Sequence, residues 1–108
     1  MGGNPITQEV AVKALKKLRA VDVSEKGDAH PTFAIYYRKR LVAITGIRHS
    51  SNRDILLPHI KADLRVNAPF VLGLARCTKY RNHYLYEVGL ISEEDSESDK
   101  WVDDYEPA

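Results

Sequence analysis

Apolar residues recur with the period of an α-helix near the start of the chain. Between residues 7 and 19 they fall on one helical face and the lysines fall on the opposite face. The apolar set is Val10, Ala11, Ala14, Leu15 and Leu18, and the lysines are Lys13, Lys16 and Lys17. Thr7 is suited to cap such a helix, because its hydroxyl can accept a backbone N–H of the first turn. The pattern predicts a helix from Thr7 to Arg19.

The spacing of apolar residues then changes to the two-residue period of β-strands. Three such segments occur, at residues 21–23, 31–37 and 41–47. In the second, Phe33, Ile35 and Tyr37 share one face of the predicted strand. Polar residues 38–40 separate the last two strands, so we expect an antiparallel hairpin. This connection contains neither Gly nor Asn, and its turn type does not follow from the sequence.

Helical periodicity returns in the second half of the chain. A helix is predicted to begin near Leu57, since Pro58 fits only in a first turn, and to reach Arg65. One or two further short helices are predicted between residues 67 and 89, the last of them capped by Thr78. The expected fold is α+β with the order α-β-β-β-α: a three-stranded antiparallel sheet packed by helices on one face, with one or two extra short C-terminal helices.

Charge is segregated along the chain. Residues 1–91 carry 15 Lys and Arg against 7 Asp and Glu, a net charge of +8. Residues 92–108 carry 8 Asp and Glu against Lys100, a net charge of −7. We therefore expect a basic domain over residues 1–91 and an acidic, disordered tail over residues 92–108. The tail is predicted to compete with nucleic acid for the basic face, and the alternative is that it only solubilises the protein.

The basic domain is expected to attract polyanions. Cations of this kind bind phosphates without reading sequence. The predicted nucleic-acid-binding residues are Lys13, Lys16, Lys17, Arg38, Lys39, Arg40, Arg53, Lys61 and Arg65. Arg76, Lys79 and Arg81 belong to the same spread of cations, and Tyr36, Tyr37, Tyr80 and Tyr84 can either stack on bases or pack in the core.

Two histidines stand at neighbouring strand ends of the predicted hairpin. His30 precedes one strand and His49 follows its antiparallel partner, so both are expected at one end of the sheet, with Arg48 beside them. Two imidazoles and a cation are suited to phosphodiester cleavage. One imidazole removes the 2′-hydroxyl proton and the other protonates the leaving oxygen. A chance meeting of two histidines at a small sheet's end is an equally simple interpretation.

Several other classes of site and setting are not supported. Cys77 is the single cysteine, so an internal disulfide is excluded and a reducing, cytoplasmic setting is favoured. His83 lies too far along the chain from Cys77 for a compact zinc pattern, and Cys77 is predicted to be a buried small apolar residue. No glycine-rich phosphate loop, signal-peptide pattern or membrane-spanning run is present. We expect no metal, no cofactor and no membrane association.

The stretch from Leu15 to Leu64 resembles the HicA-like toxins, small ribonucleases of bacterial and archaeal toxin–antitoxin pairs. The resemblance is carried by five short motifs. They are Leu15-Lys16-Lys17-Leu18, Gly27-Asp28-Ala29-His30, the strand from Phe33 to Tyr37, Arg48-His49-Ser50, and Leu56-Leu57-Pro58-His59-Ile60. Where the family has Gly-Ser-His, Asp28 and Ala29 here separate Gly27 from His30.

This resemblance implies a fold like the double-stranded-RNA-binding domain and an RNA substrate. It also implies endoribonuclease activity, with His30 matching the family's catalytic histidine, and an antitoxin protein as partner. Together with the predicted hairpin, this gives His30 as general base, assisted by His49 or Arg48. Two alternatives from other functional classes stay open: a non-catalytic nucleic-acid-binding module, and a protein-interaction domain of the same fold with an acidic regulatory tail.

Overall fold

A computed structural model describes residues 6–25, 31–47 and 56–97 of the chain. Within these residues, one helix precedes three strands and four helices follow them. The elements are α1 (Gln8–Lys17), β1 (Val21–Asp22), β2 (Thr32–Tyr37), β3 (Arg40–Gly46), α2 (His59–Leu64), α3 (Ala68–Ala75), α4 (Arg81–Glu87) and α5 (Glu93–Ser96). The predicted α+β class and element order are confirmed.

Helix α1 forms where its periodicity predicts it. The Thr7 hydroxyl accepts the Val10 N–H at 3.2 Å, which satisfies an amide that the helix itself leaves unpaired. Ala14 and Leu15 are buried, while Lys16 is exposed on the other side. The amphipathic pattern therefore decides which face of α1 remains available to a ligand.

The three strands form an antiparallel meander in the order β1-β2-β3. Ile35 pairs with Ala43 and Tyr36 pairs with Leu41, so Val42 is an extra residue in β3 and forms a bulge. Ile35 is fully buried. Side chains from the helices pack with Ile35 in one core, so the helices cover the same face of the sheet. These side chains include Leu15, Leu18, Ile60, Leu64, Val71, Leu74 and Leu85. The opposite face leaves Ile44 half-exposed.

The turn between β2 and β3 has a geometry that the sequence did not indicate. Arg38 has φ 52° and Lys39 has φ 68°, so both central residues lie in the left-handed region, as a type I′ hairpin turn requires. Gly or Asn normally fills such positions, because a Cβ atom makes this conformation unfavourable. Two basic residues therefore stand at the hairpin tip at a conformational cost.

Two local predictions are corrected by the structure. Helix α2 begins at His59, two residues after the predicted start, with Pro58 at its N-cap. Tyr80 caps α4 in place of Thr78, whose hydroxyl instead donates to the Gly73 carbonyl at the end of α3.

The acidic segment was predicted to be disordered from residue 92, but its first residues are ordered. Its start forms α5, which Ser92 caps by accepting the Asp95 N–H at 3.2 Å. Ser96 is buried, with only 3% of its surface exposed. Residues 98–108 lie outside the described residues.

Within the described ranges, no helix has the length and apolar character needed to cross a bilayer.

Candidate nucleic-acid interface

A groove of about 980 Å³ lies beside the polar side of α1. Lys13, Lys16 and Lys17 line it, and Arg19 follows them at the C-terminal end of α1. Tyr80, His83 and their neighbours at the start of α4 also line the groove. The lysines are brought together by helical spacing, whereas the α4 residues reach the groove only through the tertiary fold.

The lysines of the groove differ in their surroundings. Lys13 lies 3.7 Å from the Glu9 carboxylate, one turn earlier on α1, and both side chains are about half-exposed. The Lys17 ammonium stands 4.9 Å from the centre of the Tyr80 ring, a favourable cation–π arrangement. Lys16 is exposed. A cationic row along one wall of the groove thus ends beside an aromatic ring.

Tyr80 and His83 form a small unit at the start of α4. The Tyr80 backbone N–H donates to His83 Nδ1 at 3.0 Å, which leaves Nε2 as the protonated nitrogen of the neutral ring. The two ring centroids are 5.9 Å apart. Tyr80 is 47% exposed, so part of its ring is open to a ligand.

Arg81 is the buried centre of this end of the molecule. Its side chain is fully buried, Nη1 donates to the Leu18 carbonyl at 2.8 Å, and Nη2 donates to the Tyr36 carbonyl. The first bond satisfies a carbonyl at the C-terminus of α1, where positive charge also suits the helix dipole. The inclusion of Arg81 among the surface cations was therefore wrong: this residue organises the site and does not present its charge to a ligand.

Through Arg81, the hairpin tip and the end of α1 lie at the same end of the molecule. One guanidinium holds Leu18 and Tyr36 together, and the hairpin turn begins just beyond Tyr36. Arg38, Lys39 and Arg40 are all exposed. Two clusters of predicted phosphate-binding cations, on α1 and on the hairpin, are thus neighbours in the fold.

Other predicted cations lie elsewhere or outside the described residues. Lys61 lies in α2 and Arg65 is its C-cap. Helix α2 packs on β3, and neither residue lines the groove. Arg65 Nη2 donates to the Val42 carbonyl at 3.0 Å, in the bulge of β3. Arg53 and the predicted catalytic residues His30, His49 and Arg48 fall outside the described residues.

The tyrosines divide between the two roles open to them. Tyr84 is fully buried and its hydroxyl donates to the Leu64 carbonyl at 3.0 Å, so it belongs to the core. Burial raises the pKa of Tyr84 to about 12, against the opposing effect of the positive charges of Arg65 and Arg81. Tyr80 is the groove tyrosine that remains able to stack on a base.

Sequence reasoning missed His83 and misplaced Cys77. His83 drew no functional interpretation, and the signal that identifies its position is the Tyr80–His83 spacing at a helix start. Cys77 was predicted to be buried, but it is exposed and lines the groove. Cys77 lies in the connection between α3 and α4, where residues 76–80 are all exposed, and its φ of 66° is in the left-handed region.

The described residues contain no group of three or more His, Cys, Asp or Glu side chains placed to hold a metal ion. Comparison with known proteins finds no matching family model, no matching curated protein and no matching solved structure. The HicA-like resemblance therefore stays a prediction from the sequence motifs, and the geometry of the groove carries the functional argument.

Proposed function

We propose that this protein is an RNA-binding domain whose phosphate-binding surface is the groove beside α1. The observation that carries this proposal is the convergence of Lys13, Lys16 and Lys17 with the exposed ring of Tyr80 on one cavity. Cations that follow a groove bind successive phosphates, and an adjacent aromatic ring offers a surface on which an unpaired base stacks. This combination favours single-stranded over duplex RNA as the ligand.

The hairpin tip extends the proposed surface beyond the groove. Arg38 and Lys39 hold left-handed conformations that Gly or Asn would adopt at lower cost. Their presence at an exposed position is consistent with a role for their charges in binding, since backbone strain concentrates where function requires it. The choice of RNA over DNA is supported by the HicA-like resemblance, not by the cations, which bind either backbone.

Cleavage is a separate proposal, supported by that resemblance and by the sequence-predicted placement of His30 and His49 at one end of the sheet. It assigns a general base to His30 and assistance to His49 or Arg48, and an antitoxin protein would then be the natural partner. A non-catalytic RNA-binding module of the same fold uses the groove in the same way. Binding is therefore the function that the geometry supports best.

The binding proposal is tested with the full chain and a fluorescent single-stranded RNA oligomer. The double variant Lys13→Gln, Lys16→Gln removes two groove cations, and Lys61→Gln, Arg76→Gln removes the same charge outside the groove. At low salt we expect the groove variant to lose on the order of tenfold in affinity and to lower the slope of log affinity against log salt by about 1 to 2. Equal losses in both variants would show attraction by net charge alone.

A further inference from the structure

The basic groove already contains an acidic residue of the same chain. Ser96 and Glu97, at the end of α5, line the groove with the α1 lysines. A Glu97 carboxylate oxygen lies 3.8 Å from His83 Nε2, the ring nitrogen that carries the proton in the neutral form. Helix α5 packs on α4, so the contact follows from how the acidic segment leaves the fold.

The residues that follow Glu97 are complementary in charge to the groove. Residues 98–108 hold four carboxylates against the single cation Lys100. The carboxylates are Asp99, Asp103, Asp104 and Glu106. The lysines that line the groove lie on α1, and Glu97 marks the point where this acidic stretch begins.

Chain length places the groove within reach of this stretch. An extended chain spans at most about 3.3–3.6 Å per residue, so the 11 residues after Glu97 reach roughly 36–40 Å. A tethered segment has an effective concentration on the order of millimolar beside its own domain. Weak attraction between each carboxylate and each lysine is therefore sufficient to favour intramolecular contact at low salt.

We propose that residues 98–108 dock in the groove lined by Lys13, Lys16, Lys17 and Tyr80, with their carboxylates against the lysines. The docked segment occupies in cis the site that a polyanion would take. This inference goes beyond the proposed RNA binding and does not depend on it, because the attraction is between two parts of this chain. Glu97, held beside His83, positions the segment at one rim of the groove.

Trp101 is the only tryptophan in the chain and lies within the proposed docking segment. Its fluorescence therefore reports on the segment in the intact protein, with no truncation. Quenching by acrylamide, which is uncharged, measures exposure of the indole without responding to the protein's own charge. Low ionic strength extends the reach of electrostatic attraction, and high ionic strength screens it.

We expect the Trp101 quenching constant to be roughly twofold lower at low salt than at high salt. The groove variant Lys13→Gln, Lys16→Gln and the segment variant Asp103→Asn, Asp104→Asn should each raise the low-salt constant towards the high-salt value. The control Lys61→Gln, Arg76→Gln should leave it unchanged. Docking in this groove is disproved if quenching is independent of salt, or if the groove and control variants give the same constant.

Discussion

The Arg81 guanidinium donates a hydrogen bond from Nη1 to the Leu18 carbonyl at 2.8 Å, between residues 63 positions apart in the chain. The same side chain donates from Nη2 to the Tyr36 carbonyl. Helix α4 is thereby joined to the end of α1 and to the end of β2. A fully buried arginine thus holds together the two elements that carry the cationic clusters.

Arg81→Met is expected to lower the free energy of unfolding by about 3–5 kcal/mol, because it leaves two backbone carbonyls without this donor. Arg81→Lys should recover part of the loss, since an ammonium group keeps the charge but cannot reproduce the fork of two donors. Urea denaturation measures both variants. Arg76→Met, at an exposed position, is the control and should change stability by less than about 0.5 kcal/mol. Equal midpoints for the two Met variants would show that the Arg81 contacts do not hold the fold.

Tyr84 should make the protein sensitive to alkaline pH. Its pKa in the folded state is raised to about 12, above the value of about 10 expected in the unfolded chain. The unfolded state therefore loses this proton first, and the stabilising contribution, complete below about pH 10, is lost as pH rises towards about 12. Tyr84→Phe should remove that component of the pH dependence while lowering stability near neutral pH by about 1–3 kcal/mol, since the Leu64 carbonyl loses its donor.

The measurement is denaturation of each variant between pH 8 and pH 12, at intervals that resolve the slope of stability against pH. Tyr86→Phe is the matched control, because Tyr86 is exposed on the same helix. A steep alkaline loss that persists in Tyr84→Phe and disappears in Tyr86→Phe would contradict the assignment.

The hairpin tip should show opposite effects on stability and on RNA binding. Arg38→Asn with Lys39→Gly places preferred residues at two left-handed positions and should raise the free energy of unfolding by about 1–2 kcal/mol. The same change removes two cations and should weaken RNA binding at low salt. Arg40→Gln is the comparison, since it removes a charge beside the turn without altering a left-handed residue. Stabilisation with unchanged RNA affinity would exclude the tip from the binding surface.

Neutralising the acidic segment should strengthen RNA binding. If residues 98–108 and RNA share the groove, Asp103→Asn, Asp104→Asn raises affinity several-fold at low salt, and the difference disappears at high salt. The control Glu25→Gln, Glu87→Gln removes the same charge from exposed positions outside the groove. An equal gain in the control would attribute the effect to net charge. If the groove variant loses the low-salt protection of Trp101 and the protein binds no RNA, docking of the segment is upheld and the proposed function is rejected.

Ribonuclease activity is tested by incubating the full chain with a labelled RNA and examining its length. The HicA-like resemblance predicts cleavage that His30→Ala abolishes and His49→Ala reduces, because the first residue would act as general base and the second would assist. RNA binding should survive both changes. Intact RNA after incubation with the wild-type protein would reject catalysis and leave the groove as a binding site only.

The groove could be predicted from the sequence only in part. The lysines of α1 were identified because three-to-four-residue spacing decides which side chains share a helical face. Helical periodicity places Tyr84 on the buried face of the last predicted helix, as observed, but Tyr80 was named only as one of several tyrosines and its local sequence does not place it in this groove. His83 and Glu97 join the same groove through the packing of α4 and α5, which local periodicity does not encode.

The sequence by itself determined the order of elements from α1 to α4 and the segregation of charge. Thr7, the apolar face of α1 and the alternating strands specify local structure through interactions between residues that are close in the chain. Only the tertiary structure decided that Arg81 is buried, that Cys77 is exposed, and that the acidic segment begins inside the basic groove. The physical reason is that burial depends on partners far away in sequence. Arg81 is buried because carbonyls from α1 and β2 satisfy its guanidinium, and those carbonyls meet only in the folded chain.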